Sequence, residues 1–161
     1  GVLTGTNNSN GTKSFNPASP ITRGDFMLIL SRALNLTSST STSGFSDVPS
    51  GSYYDQAITA AKALGIAKGV DNKFNPNATI TREDAMVLAL RAMSVSGTGY
   101  VSGDSTTLSG FYDKATVSDY AQDAIAALIK SGIITGDNNQ IHPKENITRA
   151  EAAAIIYRIK Y

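Results

Sequence analysis

Apolar residues in this chain gather in three long runs, each wider than a single helical stripe. The first holds Phe26, Met27, Ile29, Leu30, Ala33 and Leu34, and the second Ala85, Met86, Leu88, Ala89, Ala92 and Met93. The third holds Ala152, Ala153, Ile155, Ile156 and Ile159. Spacings of three and four predict helices over 23–36, 82–95 and 149–160. Two shorter amphipathic patterns, 53–64 and 120–130, carry Tyr53, Ala57, Ile58, Ala61 and Leu64, and then Tyr120, Ala124, Ile125 and Leu128. Helices as apolar as the long three belong at the centre of a fold. The expected class is all-α, with three long central helices packed together and braced by short outer ones.

The long runs share one opening. It reads Ile21-Thr22-Arg23-Gly24-Asp25, Ile80-Thr81-Arg82-Glu83-Asp84 and Ile147-Thr148-Arg149-Ala150-Glu151. Threonine three residues ahead of an acid predicts a capping box, in which the hydroxyl accepts from the third helical N–H and the carboxylate accepts from the threonine N–H. Each opening follows an X-Pro pair: Asn16-Pro17, Asn75-Pro76 or His142-Pro143. Further upstream, Gly65-Ile66-Ala67-Lys68-Gly69 and Gly132-Ile133-Ile134-Thr135-Gly136 match each other and Gly1-Val2-Leu3-Thr4-Gly5. Gly65 and Gly132 stand where left-handed helix caps are expected. Phe45-Ser46-Asp47-Val48-Pro49 and Phe111-Tyr112-Asp113 read as opening turns.

The unit is thus turn, short helix, glycine loop, proline turn and capped long helix. It recurs after 59 residues (Thr22 to Thr81) and after 67 (Thr81 to Thr148). Boundaries fall at 1–43, 44–99 and 100–161. The first unit starts at its glycine loop, without the short helix, and carries extra residues over 7–11. Ser/Thr/Gly-rich stretches 37–44 and 94–110 suit exposed connectors. No unit buries its apolar face alone, so the three are expected to close into one domain.

Composition narrows the function. Fourteen Lys plus Arg against 13 Asp plus Glu give no electrostatic case for nucleic acid. No apolar stretch approaches the ~20 residues of a spanning helix, so no membrane insertion is expected. The start lacks a signal peptide's basic region. There is no cysteine for a disulfide or thiolate site. The Asp71–Asn77 stretch fails as a calcium loop, with Lys73 at its third position and Pro76 at its sixth. His142, the single histidine, precedes a proline and fits neither zinc cluster nor triad. Neither a catalytic residue, a metal nor a cofactor is expected.

The triplicated Thr-Arg openings, the Gly-Ile-x-x-Gly loops and the turns Phe15-Asn16-Pro17, Phe74-Asn75-Pro76 and Ile141-His142-Pro143 resemble the S-layer homology (SLH) family of bacterial surface proteins. The resemblance covers nearly the whole chain. It implies a pseudo-threefold prism on the bacterial cell surface that binds secondary cell-wall polysaccharide, often bearing ketal-linked pyruvate, and so anchors a surface protein. It also places the arginine of each opening in a binding groove, here Arg23, Arg82 and Arg149. Departures are the tyrosines Tyr53 and Tyr120 where the family usually has Trp, and a Thr-Arg-Ala-Glu string intact only at Thr148–Glu151.

The chemistry of these residues has two readings. An arginine at the first helical position lies beside free N–H groups and the positive end of the helix dipole, a natural carboxylate site, and its fork grips a carboxylate bidentately. Pairing with a neighbouring Asp or Glu is the alternative, outweighed by the recurrence together with the resemblance. A second arginine recurs nine residues later (Arg32, Arg91, Arg158), on the opposite helix face. Lining a neighbouring cleft is possible there, with a solvated or salt-bridging role favoured. Tyr53, Tyr54 and Tyr120 fit sugar stacking and core packing about equally. Asp25, Asp84 and Glu151 read as caps alone. The function expected is a noncatalytic glycan anchor. The rival is a protein assembly module, a homo-oligomer formed by helix exchange at the incomplete first unit.

Overall fold

The computed structural model describes residues 5–161, so most of the Gly1–Gly5 match lies outside the described residues. Five α-helices form: α1 (Arg23–Leu34), α2 (Asp55–Ala63), α3 (Arg82–Ser96), α4 (Gln122–Lys130) and α5 (Arg149–Lys160). They are the helices expected, with ends moved by a few residues. Thr22, Thr81 and Thr148 cap α1, α3 and α5, each hydroxyl accepting from the N–H three residues on. The reciprocal half of the box closes only at Glu151, which takes the Thr148 N–H at 2.8 Å. Asp25 and Asp84 are one methylene shorter and are used elsewhere. Gly65 and Gly132 adopt the left-handed conformation expected after α2 and α4.

The residue before each capping threonine closes the molecule. Ile80 N–H donates to the Ile21 carbonyl (3.2 Å), Ile147 N–H to Ile80 (3.1 Å) and Ile21 N–H to Ile147 (3.1 Å). This is a circuit of three hydrogen bonds about a pseudo-threefold axis, and its isoleucines are buried. Outside it runs a second circuit. Arg23 N–H donates to Ala78, Arg82 N–H to Glu145 and Arg149 N–H to Ser19, at 2.8–2.9 Å. Gly24, Glu83 and Ala150 donate likewise to the carbonyls of Pro76, Pro143 and Pro17. Each long helix is therefore seated on the proline turn that leads into another.

Helix α1 packs on α3 and α5, α2 lies on α1, and α4 lies on α3. Each short helix thus covers the long helix that precedes it in the chain. Phe26, Met27, Leu30, Ile58, Met86, Met93, Ile125 and Leu128 fill the core. Gly24, at the second position of α1, leaves room for Tyr54: a Cβ there would lie 3.0 Å from the Tyr54 ring and from the Pro76 carbonyl. The proline turns are pinned by carboxylates. Asp47 accepts from the N–H groups of Phe74 and Asn75, and Asp113 from those of Ile141 and His142.

Two expectations are corrected. The 94–110 stretch is not simply an exposed connector: α3 runs on through Ser96, and Leu108 is buried. Gly103 lies against the backbone of Ala126 so closely that no side chain fits. The extra residues of the first loop form a small hairpin, β1 (Thr6–Asn7) with β2 (Lys13–Ser14). Among the described residues no short helix lies on α5; Tyr157 on it and Tyr161 just past its end are exposed.

Candidate functional site

The long helices carry the same three charged positions. The first is Arg23, Arg82 or Arg149, the third Asp25, Asp84 or Glu151, and the tenth Arg32, Arg91 or Arg158. Seven residues bring a helix within about 20° of two full turns, so the acid and the second arginine share a face. The first arginine points the other way and meets the acid-bearing face of the next helix. Arg23 Nη1 lies 2.7 Å from Asp84, and Arg82 pairs with Glu151. Arg149 borders a cleft with Asp25 and Arg32.

The proline turns fix these side chains. Arg23 Nε donates to the Phe74 carbonyl at 2.9 Å with its guanidinium over the Phe74 ring, 5.1 Å from the centroid. Arg149 repeats this with Phe15, at 2.8 and 5.4 Å. In the third copy Ile141 replaces the phenylalanine. There is no ring to stack on, and Arg82 Nε is buried without a hydrogen-bond partner.

The N–H anion site expected at the helix starts is closed. The first two N–H groups of each long helix serve the proline-turn carbonyls, and the third serves the capping threonine. Binding at these positions therefore belongs to side chains. Ion pairing, the alternative reading, holds for Arg23 and Arg82. The acids are not caps alone: Glu151 caps and pairs with Arg82, while the Asp25 and Asp84 carboxylates close no box and accept from Tyr53 and from Arg23 and Tyr120. The second arginines are not merely solvated: Arg91 and Arg158 donate to the carbonyls of Ile66 and Ile133 and line clefts.

Tyr53 and Tyr120 stand at the cleft rims, 65% and 57% exposed, so core packing fails for both. The neighbouring Tyr54 takes the buried place, edge-on to Tyr53. Tyr53 Oη donates to Asp25 at 2.9 Å, and Tyr120 Oη donates to Asp84 at 2.8 Å and Glu83 at 3.1 Å. Partial burial and then the Asp25 carboxylate push the Tyr53 hydroxyl up to about 12. Burial with Asp84 and Glu83 raises Tyr120 as well. Both stay protonated donors.

Glu83 is a residue the repeat pattern did not single out. It is buried, and it accepts from Lys144 Nζ at 2.6 Å, the Ser118 N–H and hydroxyl, and Tyr120. Burial pushes its carboxyl up, but these donors outweigh burial and hold it below the usual range. Glu151 behaves alike: burial raises it, while the Thr148 N–H and Arg82 bring the net shift down. The one signal in the sequence was the acid at the second helical position, where α1 and α5 have Gly24 and Ala150.

Three clefts result. The one at α3 holds Arg23, Asp84, Arg91 and Tyr120 with Lys68 and Lys73, and measures about 560 Å³. The one at α1 holds Arg149, Asp25, Arg32 and Tyr53 in about 230 Å³. The one at α5 holds Arg82, Glu151, Arg158, Asp137 and His142 in about 180 Å³. A further hollow of about 500 Å³ between α1, α2 and residues 36–41 shares Arg32 and Tyr53 with the α1 cleft.

A family model described as the S-layer homology domain matches residues 44–86 and 110–153. Amylopullulanase of Thermoanaerobacterium thermosulfurigenes is 40% identical over 144 residues, covering 89% of this chain and 8% of that protein. Exoglucanase XynX of Acetivibrio thermocellus is 38% identical over 144 residues, covering 89% and 13%. The surface-layer 125 kDa protein of Lysinibacillus sphaericus is 31% identical over 163 residues, covering 98% and 13%. The chain spans a small fraction of each relative, 8% of the first and 13% of the other two.

Proposed function

The chain belongs to the S-layer homology domain family, the cell-wall anchoring module of surface-layer proteins and surface enzymes, and we propose that it holds its protein to an acidic secondary cell-wall polysaccharide of the bacterial envelope. The module is noncatalytic, and the relatives' hydrolase names belong to chains of which it is a minor part. One observation carries the glycan reading: each long helix lines a cleft with two arginines and the acid of its own third position, and at α1 and α3 an exposed tyrosine ring stands at the rim. Guanidinium donors left over from the internal pairs suit a carboxylate such as a pyruvate ketal, since the group has five N–H donors. The tyrosine rings offer a flat apolar face to a sugar. The family match takes in residues 44–86 and 110–153, and α1 with its Thr22 cap and Ile21 circuit supports a third, partial unit over 1–43.

Co-sedimentation with wall sacculi tests this reading. Sacculi with intact acidic substituents are expected to pellet the protein, and sacculi stripped of ketal-linked pyruvate by mild acid to leave it in solution. Equal binding to both overturns the carboxylate reading, and binding to neither overturns the glycan reading altogether.

A second reading, self-assembly, rests on α5. It exposes Tyr157, whose ring lies tilted against that of Tyr161 just past the helix end, 5.2 Å between centroids, and among the described residues no short helix covers it. Light scattering distinguishes the two: a dimer lost on Tyr157→Ser substitution supports assembly, and a monomer at all concentrations rejects it.

A further inference from the structure

The three clefts share a plan but not a charge. At α5, Arg82 and Arg158 face Glu151 and Asp137, so charge balances in a space of about 180 Å³. At α1, Arg149 and Arg32 face Asp25 in about 230 Å³. The larger hollow beside it sets Arg32 against Asp55 and adds no cation. At α3, Arg23, Lys68, Lys73 and Arg91 face the single carboxylate Asp84 in about 560 Å³. Ligand pockets usually run to about 300–1,000 Å³, a range the α3 cleft meets and the other two clefts do not.

The excess charge at α3 comes from the loop before the proline turn. Lys68 and Lys73 are exposed, and neither takes part in an ion pair among the described residues. The loop before α5 has Thr135 and Gln140 in their places, so nothing there adds to its arginines. Asp84 already engages Arg23 and Tyr120, which leaves the lysines and Arg91 facing the cleft with no acid of their own in it.

Resting on the acidic-glycan reading above, we infer that the α3 cleft is the principal binding site of this chain and takes a saccharide unit bearing a carboxylate. Lys68, Lys73 and Arg91 supply its attraction, the Tyr120 ring flanks the sugar, and the other two clefts contribute little. The threefold frame is retained for folding while binding is concentrated at one of its three corners.

Titration calorimetry with purified, acidic wall polysaccharide tests this on the whole chain. A Lys68→Gln/Lys73→Gln variant changes only exposed side chains and keeps the fold. It is expected to weaken binding by roughly tenfold or more, as loss of two charge-assisted contacts implies. Arg32→Gln and Arg158→Gln, in the lesser clefts, are expected to weaken binding far less than the lysine variant does, by no more than about twofold to threefold, with the tight phase saturating at one saccharide site per chain. An unchanged Lys68/Lys73 variant beside a parent that binds overturns the assignment of the cleft but spares the glycan reading. So does an equal loss in all three variants. A parent that does not bind the polysaccharide overturns the glycan reading itself.

Discussion

Single residues here do more than one task, and their substitutions separate the tasks. Thr148 both accepts from the Glu151 N–H and donates its own N–H to the Glu151 carboxylate, whereas Thr22 and Thr81 make only the first of these bonds. Thr148→Ala is expected to cost about 1 kcal/mol in urea unfolding, somewhat more than Thr22→Ala, because the reciprocal geometry is lost with it. Glu83 sets an acid limit. Its carboxyl lies below the ordinary value in the folded chain, so its stabilisation is complete above the unfolded value of about 4.3 and drains away as pH falls through the folded one. Glu83→Gln should therefore be less stable than the parent at neutral pH, with the gap narrowing between about pH 5 and 3. Unfolding midpoints measured across that range check it; a gap that stays constant rejects it. Much at this scale was legible. The threonine caps follow from residue type and spacing, the cleft arginines from their recurrence together with the family resemblance, and the tyrosines stay open between rim and core. The partners did not follow, because an arginine's acid sits on another helix, 61 residues away for Arg23 and Asp84. The seven-residue spacing from Asp84 to Arg91 did hold the clue that those two share a face. Lys68 and Lys73 lie in an irregular loop, where no period marks them.

Among the elements, the glycine loops hold the long helices to the clefts. Gly69 and Gly136 adopt left-handed conformations, and a Cβ on either would meet a phenylalanine ring, Phe45 at 2.4 Å or Phe111 at 2.6 Å, and a loop carbonyl. Gly65 is left-handed too but faces open space. Thermal unfolding should separate them. Gly65→Ala is expected to cost about 1 kcal/mol from backbone strain alone. Gly69→Ala should cost appreciably more, since it adds a clash in a packed site. Equal costs would mean that the loop yields. The elements themselves were readable from hydrophobic spacing. What spacing did not reveal was the order of covering, α2 on α1 and α4 on α3, which is a relation between successive repeats. Nor did it reveal that the 94–110 stretch is partly structural: Leu108 sits amid Ser, Thr and Gly, and the stretch's other apolar residues, Val95, Tyr100 and Val101, are exposed and form no continuous run with it.

At the level of the molecule, the isoleucine circuit makes the fold a unit. Ending the chain after residue 146 would remove α5 and leave the Ile21 N–H and the Ile80 carbonyl buried without partners. That truncation is expected to abolish cooperative melting, although α1–α4 remain in the chain. The full chain is expected to melt in a single transition, coincident by circular dichroism and tyrosine fluorescence. Distinct transitions for separate repeats would show that the circuit does not couple them.

A stack of repeats with free ends can lengthen by one more copy at a time. In this chain each isoleucine has already given its N–H to one neighbour and lent its carbonyl to the other, so a fourth copy would find no vacancy. Stronger attachment by duplication therefore means stringing complete prisms on a tether, gaining avidity through effective concentration and leaving each individual prism unchanged.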